Sequence, residues 1–476
     1  MSTIALRLAS CAVLLTACSH APPPKLYQPP PQSRFVHAPQ DASATEPVGA
    51  FWQGFQDPLL DRLVQRALDA NPDVRTAAAS LREARAINRA ASANLFPSAD
   101  VNAGAARARS QDERGVPGTR NDYSVGLDLL WEVDLFGGLS DARRATLAGV
   151  RASAEGVRAA RVSVVAELVR NYFELRGLQL QVQVARASLD TQQQVLQLVE
   201  ARLDAGRGTA LDTERARALF QSTAANVPAL ETSAIRARHH IAVLCGLTPT
   251  ALDAELTPDQ PLPGLQAVAL SGVGSPASLL RRRPDILAAE AQAAVLAAQV
   301  GVARSALFPS LSLSGTLGQN AAHFSDLGNG ASYVYNLGGQ LAWNLIDFGR
   351  IRAQIAAADA RNEAAMIAYE KTVLSALEET EGALAAYTRN QRQAALLFDA
   401  ARASELAATI ARERFAVGST DFLTVLDAER ELLAARDRLA QSQTSAATSL
   451  VAVYKALGGD WAASGPAVGM RTEGGK

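Results

Sequence analysis

Leu95-Phe96-Pro97-Ser98 returns, residue for residue, as Leu307-Phe308-Pro309-Ser310, 212 positions along the chain. The same offset joins Asn71-Pro72-Asp73 to Arg283-Pro284-Asp285 and Trp131 with Phe136-Gly137 to Trp343 with Phe348-Gly349. It also joins Gly206 to Gly418 and Gly246 to Gly458. Landmarks that stay in register over such a distance define two copies of one structural unit.

Outward from each Leu-Phe-Pro-Ser the patterns are the same. Upstream, a proline (Pro72 or Pro284) sits where a helix begins, in a first turn that needs no N–H from it. Downstream come two stretches of strict alternation. Ala99, Val101, Ala103 and Ala105 share one face, followed by Val125, Leu127, Leu129, Trp131 and Val133. Asp100, Asn102, Gly104, Ser124, Gly126, Asp128 and Glu132 fall on the other, with Leu130 an exception. The second copy repeats this with Leu311, Leu313 and Leu317, then Leu337, Leu341, Trp343 and Leu345. A period of two with one apolar face predicts strands. Polar turns, 110–122 and 320–332, separate them. Then 139–203 and 351–415 run without a proline, which predicts helices of roughly 97 Å at ~1.5 Å per residue. Gly206 and Gly418 suit left-handed C-caps, and shorter return helices follow.

The expected organisation is therefore a first repeat over 51–250, with helices 57–95, 139–203 and 211–245 and strands 98–109 and 123–134. A linker spans 251–283. The second repeat covers 284–458, with helices 284–307, 351–415 and 422–457 and strands 310–319 and 333–346. A tail occupies 459–476.

The N-terminus predicts export. Arg7 precedes an apolar run, Leu8 to Leu15, and the cleavage region is Leu15-Thr16-Ala17-Cys18. That tetrad resembles the lipobox of bacterial lipoproteins, which makes 1–17 a signal peptide and Cys18 the lipidated residue. Ser19 resembles the residue found there in lipoproteins sent to the outer membrane. Residues 18–50 read as a Pro-rich tether. Cys11 leaves with the signal and Cys18 carries lipid, so Cys245 has no disulfide partner.

Composition closes other doors. The 46 Lys and Arg balance the 47 Asp and Glu, which leaves no cation excess for nucleic acid. The 5 histidines show no metal-binding spacing, and no nucleophile, phosphate-loop or dinucleotide motif is present. Neither enzyme chemistry nor a metal or other cofactor is expected. After the N-terminus no run of about 18 apolar residues stands out, so no bilayer-spanning helix is expected. Four strands of about ten residues do fit a membrane sheet, but an open sheet leaves unpaired edges in lipid. The smallest membrane barrels have about eight strands, so an oligomer must close the barrel. Aromatic residues mark both strand ends: Phe96, Trp131, Phe136, Phe308, Trp343 and Phe348 at one, Tyr123, Tyr333 and Tyr335 near the other. They resemble interfacial girdles.

The chain resembles the TolC family of outer-membrane efflux proteins, specifically the lipid-anchored components of tripartite resistance-nodulation-division pumps. The carriers are Phe51-Trp52, Phe55, Asp57-Pro58-Leu59-Leu60, Asn71-Pro72-Asp73, Trp131 to Gly137, Leu280 to Asp285, Leu307-Phe308-Pro309, and Arg414-Phe415 with Gly418, Val425-Leu426 and Ala428-Glu429. The resemblance implies a homotrimer in the outer membrane, extending into the periplasm. Its twelve-stranded barrel would stand on a twelve-helix tunnel, with an equatorial belt built from 247–275, parts of 51–69 and the tail. It implies a passive exit duct for small toxic compounds, served by a periplasmic adaptor and an inner-membrane pump. Ducts for protein secretion or metal-ion efflux are the alternatives within the family, and a structural coiled-coil lipoprotein the alternative outside it.

The resemblance also places a gate and the adaptor-docking tips at 202–212 and 414–423. Candidate residues there are Arg202, Gly206, Thr209, Asp212, Arg414, Gly418, Thr420 and Asp421. Relatives carry an acidic ring where this chain has Thr420, so Asp421 is the nearest carboxylate. Thr209 and Asp421 read equally as N-caps, Thr209 with Asp212 resembling a capping box. Arg202 and Arg414 suit helix C-termini or a bond across the tip. Arg281-Arg282-Arg283 suggests a buried pairing with an acidic segment of the belt.

Overall fold

The computed structural model describes residues 26–29, 34–39, 50–111, 115, 117–262, 270 and 272–459. The expected signal 1–17, Cys18, most of the tether and the tail beyond 459 lie outside the described residues. The ordered elements are helices α1 (Pro58–Ala70) and α2 (Pro72–Ala93), strands β1 (Ser98–Gln111) and β2 (Pro117–Val133), and helices α3 (Gly138–Asp204) and α4 (Ala210–Leu244). Two single turns, α5 (Asp253–Leu256) and α6 (Pro276–Leu279), precede α7 (Pro284–Ser305), β3 (Ser310–Ala321), β4 (Tyr333–Ala342), α8 (Phe348–Ala416) and α9 (Phe422–Ala456).

The chain forms two compact units. One, built chiefly from Ala79–Ala154 and Ala288–Lys371, contains the strands. They pair antiparallel in the order β1-β2-β3-β4. The other, built from Pro29–Ala78, Glu155–Leu287 and Thr372–Lys476, is helical. Its core is lined by Leu60, Val165, Leu168, Tyr172, Phe173, Ile241, Val373, Leu450 and Val453.

Several boundaries differ from the sequence expectation. The single helix 57–95 is two helices broken at Asn71. Its amide oxygen accepts from the Asp73 and Val74 N–H groups at 2.8 and 3.2 Å, capping α2, while its NH2 donates to the Leu244 carbonyl at 2.9 Å. The turn expected at 110–122 is largely strand: β1 and β2 stay paired up to Gln111 opposite Pro117. That stretch is polar on both faces, so it carries no alternation to read. β4 stops at Ala342 rather than 346. The next residue, Trp343, instead donates from its indole N–H to the Leu307 carbonyl at 3.1 Å. Trp131 does the same to Leu95 at 3.1 Å, 212 positions earlier. The linker 251–283 holds α5 and α6, the latter started by a reciprocal Ser275–Ser278 cap. By length and composition α7 is apolar enough to cross a membrane, because alanine and valine fill it around Asp285 and Glu290. Bulky apolar runs are the easier signal to see.

Arginine 283 occupies the position of Asn71 in the second repeat. It donates to the Ala456 carbonyl at 2.9 Å, the counterpart of Leu244, and pairs with Asp285 at 2.7 Å and Glu379 at 2.6 Å. Its acidic partners are thus its own neighbour and a residue of α8, not a belt segment. Burial alone would pull the guanidinium pKa down, but the bonds and charges of Asp285 and Glu379 outweigh that and raise it.

Glycines 206 and 246 share a left-handed backbone, with φ of +67° and +72°. A Cβ at Gly206 would meet nothing within 4 Å, whereas at Gly246 it would sit 2.6 Å from the Ala70 carbonyl oxygen. Gly206→Ala should cost only the left-handed penalty, roughly 1–2 kcal/mol. Gly246→Ala adds backbone overpacking and should cost about 3 kcal/mol or more. Denaturant unfolding of the two variants checks the order; equal costs would contradict the packing assigned to Gly246.

Candidate functional site: the strand sheet and the helix tips

Pairing sorts the strand side chains into two faces. Val101, Leu127, Leu317 and Tyr335 form one cross-strand row, and Ala99, Leu129, Gly315 and Leu337 the next. This face is apolar yet exposed: Val101 is 79% and Leu337 80% accessible. On the opposite face Asp100, Asp128, Thr316 and Asn336 make one row, and Glu132, Ser312 and Gln340 another. Asp128 accepts from the Thr316 hydroxyl at 2.9 Å and from the Asn102 amide. Leu130 lies on this polar face, opposite Ser98 and Ser314. From Val133 to Tyr123 the apolar face spans ten residue steps along β2. That is about 33 Å of strand, or about 25 Å of height at a tilt of about 40°, the height of a membrane-barrel apolar band.

The expected aromatic girdle divides. Phe96, Trp131 and Trp343 are exposed. Phe136 and Phe308 are half-buried and stack on each other at 4.7 Å, and Phe348 is half-buried. At the other end Tyr333 and Tyr335 are exposed, and Tyr123 packs edge-on against Phe324 at 5.9 Å.

The helix tips lie in the helical unit. Each long helix ends in the same double hydrogen bond. Arg207 N–H reaches the Arg202 carbonyl at 2.8 Å and Gly206 N–H the Leu203 carbonyl at 2.9 Å. Ser419 reaches Arg414 and Gly418 reaches Phe415, both at 2.9 Å. These are Schellman ends, which need a residue with positive φ; Gly206 and Gly418 supply it at +67° and +79°. Thr209 caps α4 through the Asp212 N–H at 3.2 Å. The expected capping box is incomplete: the Asp212 carboxylate accepts from the Thr209 hydroxyl at 2.6 Å instead of the Thr209 backbone N–H. Asp421 caps α9 through the Thr424 N–H at 3.0 Å and accepts the Thr424 hydroxyl at 2.6 Å. Thr420 is half-buried between the two motifs.

The two arginines behave differently. Arg202 crosses from α3 to the end of α8. Its Nη2 donates to the Phe415 and Ala416 carbonyls at 2.5 and 3.0 Å, and its guanidinium lies 4.1 Å from the Phe415 ring centre. It thus satisfies two C-terminal carbonyls of a neighbouring helix, where a cation is favoured, and covers an aromatic face. Arg414 is exposed and contributes its backbone carbonyl to the Schellman end. Beneath Arg202, Val199, Ala216, Ala411, Phe415, Phe422, Val425 and Leu426 form a small core. The buried Glu429 pairs with Arg412 at 2.5 Å. Beside it, a groove of about 430 Å³ runs between α3 and the α8–α9 turn, lined by Leu198, Phe415 and Val425 among others.

Sequence reading missed two joints of the helical unit. The buried Arg176 donates to the Pro258 carbonyl at 2.8 Å and to the Tyr172 hydroxyl at 3.1 Å, and Tyr172 donates to Asp57. Asp57 was visible only as part of Asp57-Pro58-Leu59-Leu60, where it also caps α1. Glu381 accepts from the Val36 and His37 N–H groups at 2.8 and 3.0 Å, tying the tether to α8. No local pattern marks a partner 344 residues away.

The family model of the outer membrane efflux proteins matches residues 63–247 and 276–459, two segments whose last residues keep the 212-residue offset. The chain belongs to the outer membrane efflux protein family. It is 34% identical to the pyoverdine export outer membrane protein OpmQ of Pseudomonas aeruginosa, covering 97% of this chain and 98% of that one. It is 31% identical to the toluene efflux pump outer membrane protein TtgI of Pseudomonas putida, over 86% and 87%. Among solved structures, the outer-membrane channel OprN aligns with a TM-score of 0.87 at 38% identity, covering 93% of this chain and all of that one. The Neisseria gonorrhoeae MtrE channel in its open state aligns at 0.82 and 27% identity, over 93% and 99%. The TolC-like architecture expected from sequence therefore stands. This efflux family member is an outer-membrane duct that extends into the periplasm, and its relatives are channels rather than enzymes.

Two outcomes at the tip follow. Arg202→Ala should speed hydrogen exchange of the amides of 415–419, and Arg202→Lys should do so less; unchanged exchange would remove the cross-helix link. The Asp421 carboxyl is held below the usual carboxylate range, first by the Thr424 hydroxyl and then by the Thr424 N–H. A depressed value means that the cap is at full strength above the unfolded pKa of about 3.9 and fails as pH falls below it. Exchange at Thr424 should therefore rise on acidification in the native chain and be fast and nearly pH-flat, after intrinsic-rate correction, in Asp421→Ala.

Proposed function

We propose that this duct is a homotrimer: three copies close a twelve-stranded barrel above twelve helical columns, and the assembly serves a tripartite resistance-nodulation-division pump. One observation carries the reading. Each sheet is a four-strand meander whose edge strands, β1 and β4, each keep one side unpaired among the described residues, and it exposes a band of apolar side chains as tall as that of a membrane barrel. Such a sheet is stable in lipid only when copies pair the open edges, and three copies give twelve strands. The polar face, with Asp100, Asp128, Thr316 and Asn336, then lines a water-filled lumen.

Cys18 is the lipidated residue in this reading, and the lipid holds the tether to the membrane. A periplasmic adaptor docks at the tips, where Arg202 and Asp421 shape the two turns. The cargo is small organic molecules, a class supported by relatives named for export of pyoverdine and toluene. The chain supplies a passage and no energy, so selection and driving force lie with the pump. Neither a cofactor nor a metal is assigned to it.

The test is direct. Purified chain should run as a heat-labile trimer on a denaturing gel, conduct ions in planar bilayers, and capture a periplasmic adaptor after cross-linking at 202–212 or 414–423. Cys18→Ser should lose the lipid mass but keep conductance. A monomer without conductance would end the duct reading, and a conducting trimer that captures no adaptor would end the pump assignment.

A further inference from the structure

The β1–β2 hairpin carries two arginines on its apolar face. Beyond the row of Ala105 and Tyr123, pairing continues with Arg107 opposite Asn121 and Arg109 opposite Thr119. β3 ends at Ala321, level with Tyr123, so the hairpin stands clear of the other strands here. Alternation puts Arg107 and Arg109 on the face of Val101, Leu127 and Tyr123. Both are exposed, and among the described residues neither has an ion-pair partner. Arg120, opposite Ala108, lies on the other face.

Their height is set by the strand. Arg107 lies two residues and Arg109 four beyond the tyrosine row, or about 5 and 10 Å above it along the membrane normal at ~3.3 Å per residue and a tilt of about 40°. The headgroup zone begins where the apolar band ends and is about 5–8 Å thick on each side. Arg107 therefore lies within the layer that holds the lipid phosphates, and Arg109 just beyond it, within reach of that layer for so long a side chain. A guanidinium fork matches a phosphate through paired, charge-assisted hydrogen bonds.

We propose that Arg107 and Arg109 bind the phosphate groups of anionic lipid headgroups in the outer leaflet, and so fix the barrel's height and its lipid neighbours. This rests on the closed-barrel reading above. Charge complementarity picks the occupant: two exposed cations, without an ion-pair partner among the described residues and just beyond Tyr123 on the lipid-facing side, meet the anion that the surrounding membrane supplies there.

The experiment uses the full-length trimer in phosphatidylcholine vesicles, titrated with diphosphorylated lipid A. Arg107→Gln/Arg109→Gln should weaken lipid A binding about thirtyfold, from about fivefold per arginine. Arg120→Gln should bind as the native chain does, and dephosphorylated lipid A should bind the native chain as weakly as the double variant binds lipid A. Arg107→Lys/Arg109→Lys, which keeps charge without the fork, should lose less, and added salt should weaken native binding. Equal loss in Arg120→Gln, indifference to dephosphorylation, or displacement by inorganic phosphate at lipid-like concentration would overturn the proposal. Conductance in pure phosphatidylcholine separates the two readings: a silent channel faults the barrel, and a conducting channel without lipid A preference faults only the arginines.

Discussion

A backbone N–H or C=O left unpaired in hydrocarbon costs several kcal/mol, and the strand unit of this protein cannot avoid that cost alone. Its meander leaves one edge open at β1 and another at β4. Everything apolar about the sheet pushes it into lipid, while both edges forbid it to enter as a single chain. Oligomerisation is thus a condition of solvation rather than an added feature.

The two repeats show which parts of this solution are fixed by the backbone and which are free. The indole N–H of Trp131 and of Trp343 meets the same carbonyl position, at Leu95 and Leu307. Both long helices end in Schellman bonds over glycines with positive φ. These joints need one particular geometry and recur almost unchanged. Where a joint needs only a donor, the residue changes. Asn71 and Arg283 both satisfy the last carbonyls of a return helix, yet Asn71 also caps α2, whereas Arg283 recruits Asp285 and Glu379.

The same distinction explains what could be read from the sequence. The strands were legible because one face is greasy and the other polar, and the long helices because no proline interrupts them. The C-caps were legible because glycine adopts that backbone at the least cost. The extension of β1 and β2 to Gln111 and Pro117 was not, since a hairpin polar on both faces has no period to detect. The bond from Asn71 to Leu244 needed knowledge of α4, and the tether's anchor at Glu381 needed knowledge of α8. Partners far apart in sequence leave no mark in either local pattern. At the tips, the arginines at 202 and 414 were equivalent in sequence, and only the structure shows that one crosses to the other helix pair while the other stays at the surface.

That last difference matters for a channel built from repeats. Identical tips would give each helix pair the same restraint. Arg202 ties the end of α3 to the end of α8 through two carbonyls and an aromatic ring. Arg414 makes no matching link to Leu203 among the described residues. The α8–α9 turn is thus held from outside by a residue of the other pair, whereas its own cap, Asp421, is exposed and is held by Thr424. The sequence repeat provides the two tips, and its departure from symmetry makes one of them depend on the other.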